Sequence, residues 1–147
     1  MVGRMTGLNF VQANMIIGAA LKRGRELGIK PLAVVVLDAS GHVKAAQRED
    51  GASMFRIDVA TGKAWAAVAM GASSRTLLGR ARDNPQFFGA LSSTAGGKFL
   101  PQTGAVLIKD KDSSVLGAAG ASGGTGDEDE AVCLFGIEAA GLESDPN

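Results

Sequence analysis

Residues 104–132, GAVLIKDKDSSVLGAAGASGGTGDEDEAV, constrain the fold more than any other stretch. The apolar run 104–109 predicts a strand, the polar residues 110–113 a turn, and 114–121 the returning strand. A glycine-rich bend at 122–126 then meets four consecutive carboxylates, Asp127, Glu128, Asp129 and Glu130. Acids suit the positive end of a helix dipole, so a helix is expected from there to about Gly141. With so few residues between them, a hairpin must carry a helix directly on its end.

Upstream residues supply a second hairpin and more helices. Asn9 and Gln12 have the spacing of a capping box, opening a helix whose packing face is predicted at Val11, Met15, Ile16, Ala19 and Ala20. Gly28 and Pro31 end it. LAVVVL at 32–37 predicts a buried strand, Asp38 to Gly41 a turn, and 42–48 the returning strand, broken by Glu49, Asp50 and Gly51. A long helix is expected over 54–70, capped by Ser53. Its predicted face is Phe55, Val59, Ala66 and Ala69, with Ala60, Gly62, Ala64 and Ala67 keeping the other sides thin. Ser73 or Ser74 starts a short helix through Arg82, and Asn84-Pro85 opens another to about Leu91. Residues 92–102 read as a loop, 1–7 as a flexible tail and 143–147 as a frayed end, leaving one domain over 8–142. Two hairpins separated by helices predict an α+β domain with an antiparallel sheet.

Composition narrows the function classes. The formal net charge is zero, which gives no global field for nucleic acid or an anionic membrane. No run approaches the roughly 18–20 apolar residues of a membrane span. One cysteine fits a reducing compartment, and the N-terminus lacks a long apolar signal segment, so a cytoplasmic location is expected. Glycine takes 21 of 147 positions, well above the usual share of about 7%, and aromatics only 5%. Small side chains bury little area each, so burial between subunits would help, and a homo-oligomer is expected.

Several segments together resemble one known family. These are the hairpin DASGHVKAAQREDGA, the helix IDVATGKAWAAVAMG, the loop AGGKFLPQTGAVLI and the ending VLGAAGASGGTGDEDEAVCLFGIEAAG. In this order they resemble the GlcG/HbpS-like family of haem-binding or haem-degrading domains, which includes the C-terminal domain of PduO-type proteins. The resemblance covers about residues 8–142. It implies a profilin-like, three-layer α/β/α fold around a five-stranded antiparallel sheet, assembled into dimers or larger oligomers. The residues predict four strands, so the fifth is expected near residues 98–102 or in another segment read as loop. The resemblance also implies small-ligand binding, with haem as a possible cofactor. Haem ligation in the family is associated with N-terminal histidines, whereas the single histidine here, His42, stands at a hairpin turn.

The residues themselves suggest several sites. The bend from Gly120 to Gly126 resembles a phosphate cradle, but Asp127 to Glu130 would repel a phosphate, and no Gly-Lys-Ser/Thr ending is present. A corner capped by its own carboxylates, through Thr125/Glu128 or Asp127/Glu130, is the expected reading. Asp129 or Glu130 is a candidate general acid or base, and at most two of the four acids can converge on a metal. Cys133 has core spacing. The Arg48-Glu49-Asp50-Gly51 corner is the preferred site, with Lys63 expected to pair with Glu49 or Asp50. Arg56 and Asp58 are expected to be solvated. The first function expected is binding of a small organic molecule in a pocket at a subunit boundary. Arg48 would grip an anionic group, with Asp50, Gly51, Lys63, Ser122 and Gly123 lining the site. The alternative is an enzyme that moves a proton with Lys63 and Glu49, Asp50 or Glu130, as an isomerase, hydratase or hydrolase. A haem-linked redox protein using His42 is the third.

Overall fold

The computed structural model describes residues 7–147. Five helices and five strands follow in the order α1 (Phe10–Glu26), β1 (Ala33–Asp38), β2 (Val43–Arg48), α2 (Phe55–Met70), α3 (Ser74–Asp83), α4 (Pro85–Thr94), β3 (Ala105–Lys109), β4 (Val115–Ser122), α5 (Gly126–Ala139) and β5 (Glu143–Asp145). The strands form one antiparallel sheet in the order β2-β1-β4-β3-β5. This is the expected α+β architecture. The expected tail at residues 1–7 lies almost wholly outside the described residues.

The two faces of β1 explain its unbroken apolar sequence. Val34 and Val36 face α1 and α5, in a core with Ile16, Ile17, Val106, Val132 and Ile137. Val35 and Leu37 face α2, in a core with Ala60, Ala64, Ala67 and Leu107. A strand covered on both faces loses the polar alternation of a half-buried one.

Small residues set how closely the layers meet, and they turn both long helices from the expected orientation. In α1 the buried residues are Ala13, Ile16, Ile17, Ala20 and Gly24, while Val11 and Met15 are exposed. The turn brings Gly136 of α5 onto α1, where a Cβ would stand 2.4 Å from the Ile16 carbonyl oxygen. In α2 the expected face is largely reversed. Phe55 and Ala69 are exposed, and the thin residues Ala60, Gly62, Ala64 and Ala67 are buried. The cause is Gly120 on β4, where a Cβ would come within 2.4 Å of the Ala60 carbonyl oxygen. Only a face of small residues can settle onto so shallow a strand.

The fifth strand is not near residues 98–102. It lies at Glu143–Asp145, in the segment expected to fray, and pairs with β3. Ser73 explains why. Instead of capping α3 with its side chain, it accepts from the Leu107 amide at 2.9 Å and donates to the Asp145 carbonyl. Its own amide donates to the Asn147 carbonyl at 2.8 Å, and Lys109 pairs with Asp145. Ser53 likewise makes no side-chain cap on α2. The capping box at Asn9/Gln12 forms as expected, and of the two alternatives at the acidic corner it is Thr125/Glu128 that forms.

Candidate functional site

The close seating of α2 on β4 carries a lysine into the interior. Lys63 lies among the small residues of that face and is only 6% exposed. Its Nζ donates to the Ala121 carbonyl at 3.0 Å and to Asp129 Oδ2 at 3.1 Å. Asp129 is equally buried, and its Oδ1 accepts from the Gly124 amide at 3.0 Å. Burial pushes the Asp129 carboxyl above its ordinary range, against the opposing pull of the Lys63 charge, the Lys63 hydrogen bond and the Gly124 amide. Room for the pair comes from Gly104, where a Cβ would stand 2.6 Å from Lys63 Nζ.

One residue further along β4, Ser122 holds a second cation. Arg56 Nη1 donates to Ser122 Oγ at 3.2 Å. Arg56 and Lys63 are seven residues apart, about two helical turns, and so share one face of α2. Arg56 is half-buried and makes no ion pair among the described residues. Both cations line a cleft of about 520 Å³. Its remaining walls include Arg75, Leu78 and Arg82 of α3, Leu100, Gln102 and Thr103 of the following loop, and Gly124 to Asp127 at the start of α5.

All four consecutive acids are partnered. Glu128 Oε1 accepts from the Thr125 amide at 2.9 Å, and Thr125 Oγ1 accepts from the Glu128 amide at 3.1 Å. Asp129 takes Lys63, while Asp127 and Glu130 share Arg75. The amides of Gly124, Thr125 and Glu128 are therefore already occupied by side chains of this corner, which disposes of the phosphate cradle. No group of three histidine, cysteine or acidic residues suited to a metal occurs among the described residues.

The expected site divides into separate places. Arg48, Glu49 and Asp50 line a different cleft of about 440 Å³ with Arg25 and Pro31. Arg48 and Ser122 both stand opposite Ala33, on opposite sides of β1, so two strand spacings, roughly 9.6 Å, separate their backbones. Lys63 pairs with neither Glu49 nor Asp50. Glu49 is taken by Arg25 at 3.0 Å and by the Leu32 amide at 2.9 Å. Arg48 donates to the Ala52 carbonyl. Gly51 packs on Pro31, and the Gly123 backbone lies against the same proline. Gly123 opens instead onto a small cleft with Gly28, Ile29 and Lys30. Of the expected ligand-lining residues, only Lys63 and Ser122 line the cleft beside α2 and β4, and Arg48 and Asp50 share the other. Arg56, expected to be solvated, joins Lys63 and Ser122. Its spacing from Lys63 was the available signal, obscured because the packing face of α2 was read the other way round.

The comparisons with known proteins agree with this architecture. Residues 8–138 match the family model described as haem degrading protein HbpS-like. The chain belongs to the HbpS-like family. The corrinoid adenosyltransferase PduO of Citrobacter freundii is 27% identical over 137 residues, covering 93% of this chain and 40% of that protein. That of Salmonella typhimurium is 28% identical over 132 residues, covering 90% of this chain and 38% of that protein. The chain thus spans less than half the length of these curated relatives. A solved PduOC:heme complex superposes with a TM-score of 0.83 at 27% identity, covering 94% of this chain and 98% of that one. An HbpS double mutant of Streptomyces reticuli superposes with a TM-score of 0.79 at 25% identity, covering 93% and 89%. Among the described residues, no helix is long and apolar enough to cross a membrane.

The family name and the PduOC complex make haem the group to test against the described donors. His42 is exposed and lines a cleft with Ser40, Asp58, Thr61, Trp65 and Lys98. One indole among hydroxyl and charged side chains is not the continuous apolar slot a haem face needs. Cys133 is fully buried, out of reach of a haem face, and burial pushes its thiol above the ordinary range. Met15 and Met54 are exposed, and Met70 packs against the core of Leu77, Phe88 and Phe99. The described donors of a single chain do not fit an axially ligated haem.

Proposed function

We propose that this protein binds small carboxylates in the cleft between α2, α3 and the start of α5. The observation that carries this reading is the Arg56 guanidinium. It is half-buried, oriented by Ser122 Oγ and free of any carboxylate among the described residues. A guanidinium so placed offers the planar fork that a carboxylate accepts. The cleft volume suits a small ligand. Arg56 takes the anion-gripping role expected of Arg48, while Lys63 and Ser122 keep their expected place in the lining. The partial match to corrinoid adenosyltransferases supports an accessory role in organic acid or cofactor metabolism. Exposed Phe10, Val11 and Met15 on α1 support self-association, which sedimentation would detect.

Calorimetric titration with acetate, glycolate and lactate tests the grip. Arg56→Ala should weaken binding by roughly tenfold or more, the scale of one charge-assisted hydrogen bond, while Arg48→Ala should bind like the parent. Equal affinity in Arg56→Ala would refute the assignment.

A second reading rests on the buried Lys63–Asp129 pair beside the same cleft. A carboxyl raised by burial and held against an ammonium suits general acid–base work, with Asp129 replacing Glu49, Asp50 and Glu130 as the partner of Lys63. Such an enzyme would exchange a carbon-bound proton of a bound carboxylate with heavy water. Exchange at the same rate in Lys63→Met would remove Lys63 from that role.

A further inference from the structure

The cleft contains a second uncommitted guanidinium, which bears on the charge of the ligand. Arg82 lies seven residues after Arg75 on α3, about two helical turns away and on the same face. Arg75 is engaged by Asp127 and Glu130, and Lys63 by Asp129. Arg82 is exposed, lines the cleft, and makes no ion pair among the described residues. Arg56 and Arg82 therefore stand on two different walls, α2 and α3, with no carboxylate engaging either. We infer that the preferred ligand is a small dicarboxylate, one end held by Arg56 and the other by Arg82. This deepens the proposed carboxylate-binding function and rests on it.

The physical basis is the difference between the two cations. Arg56 is half-buried and held by Ser122 Oγ, so it loses little freedom when a carboxylate docks. Arg82 is exposed and unanchored, so it adds a weaker contact, subject to solvent screening. A monocarboxylate satisfies Arg56 and leaves Arg82 solvated. A dicarboxylate of suitable length engages both, and the second contact gains from the first because it forms within one complex.

The experiment compares acetate and propionate with malonate, succinate and glutarate by calorimetry on the full chain. At least one dicarboxylate should bind roughly fivefold or more tightly than the monocarboxylates, as expected for one added exposed charge contact assisted by the first. Arg82→Ala should bring that dicarboxylate close to the monocarboxylate level, with a much smaller loss for acetate. Arg82 is exposed, so the variant should retain the parental melting temperature, which confirms that the site is intact. Equal affinity for both ligand classes would overturn the inference, as would an Arg82→Ala variant that keeps the preference. If the two classes bind equally and Arg56→Ala abolishes acetate binding, only the dicarboxylate assignment has failed. If no carboxylate binds the parent protein, both readings fall.

Discussion

Two corners of this molecule carry similar charged residues and differ in what those residues can do. At the end of β2, Arg48, Glu49 and Asp50 surround an open cleft whose ion pair, Arg25–Glu49, is partly exposed. At the end of β4, Lys63 and Asp129 form a nearly dry pair under a cleft to which Arg56 adds a free guanidinium. In the first corner, the charges stabilise a chain reversal. In the second, close packing has removed water from one pair and left Arg56 half-buried without a carboxylate, whereas Arg48 of the first corner, also without one among the described residues, is exposed. The contrast shows that local density of charge is a poor guide to a site. Burial of the charge is a better one.

The sharpest way to break the comparison is to remove one carboxylate from each corner. Asp129→Ala leaves the Lys63 ammonium buried without its partner and should cost about 3–5 kcal/mol in denaturant unfolding. Glu49→Ala loses an exposed pair and one backbone contact and should cost about 1–2 kcal/mol. Similar losses at the two positions would erase the distinction.

The glycines beneath the two corners offer a smaller contrast. Gly104 has φ 135° and sits against Lys63 Nζ, so Gly104→Ala should cost about 2–4 kcal/mol through strain and overpacking. Gly51 has φ 89°, with only the edge of Pro31 nearby. There alanine should cost about 1–2 kcal/mol, mainly from the left-handed backbone. Melting curves of both variants would order them, and a larger loss at Gly51 would contradict the packing account.

The smallest expected effect is on pH dependence. Burial holds the folded Asp129 carboxyl above its unfolded value of about 3.9. Between those values, the folded chain keeps a proton that the unfolded chain has released. Stability should therefore fall as pH rises through that window. Unfolding curves across that range should show the fall in the parent and not in Asp129→Asn. A slope unchanged in the variant would assign the effect elsewhere.

Much of the scaffold was legible because it depends on neighbours in sequence. Asn9 and Gln12, Thr125 and Glu128, and the Asp38–Gly41 turn act within one turn of chain. The fifth strand was not legible because Glu143–Asp145 has no strand character of its own and is held by β3 and Ser73. The site was only half legible. Lys63 and Ser122 were identified, yet Arg56 and Asp129 were not recognised as their partners, because those contacts span 66 residues each.

The sequence alone determined the family, through its resemblance along nearly the whole chain. It also determined the α+β class, a corner capped by its own carboxylates and the buried character of β1, which follow from local periodicity, turn chemistry and charge at helix ends. Tertiary structure decided which face of α2 is inside, which carboxylate meets Lys63 and which arginine is left free. Those outcomes turn on how closely two backbones approach, and at Gly104, Gly120 and Gly136 that distance is set by an absent Cβ meeting atoms far away in the chain.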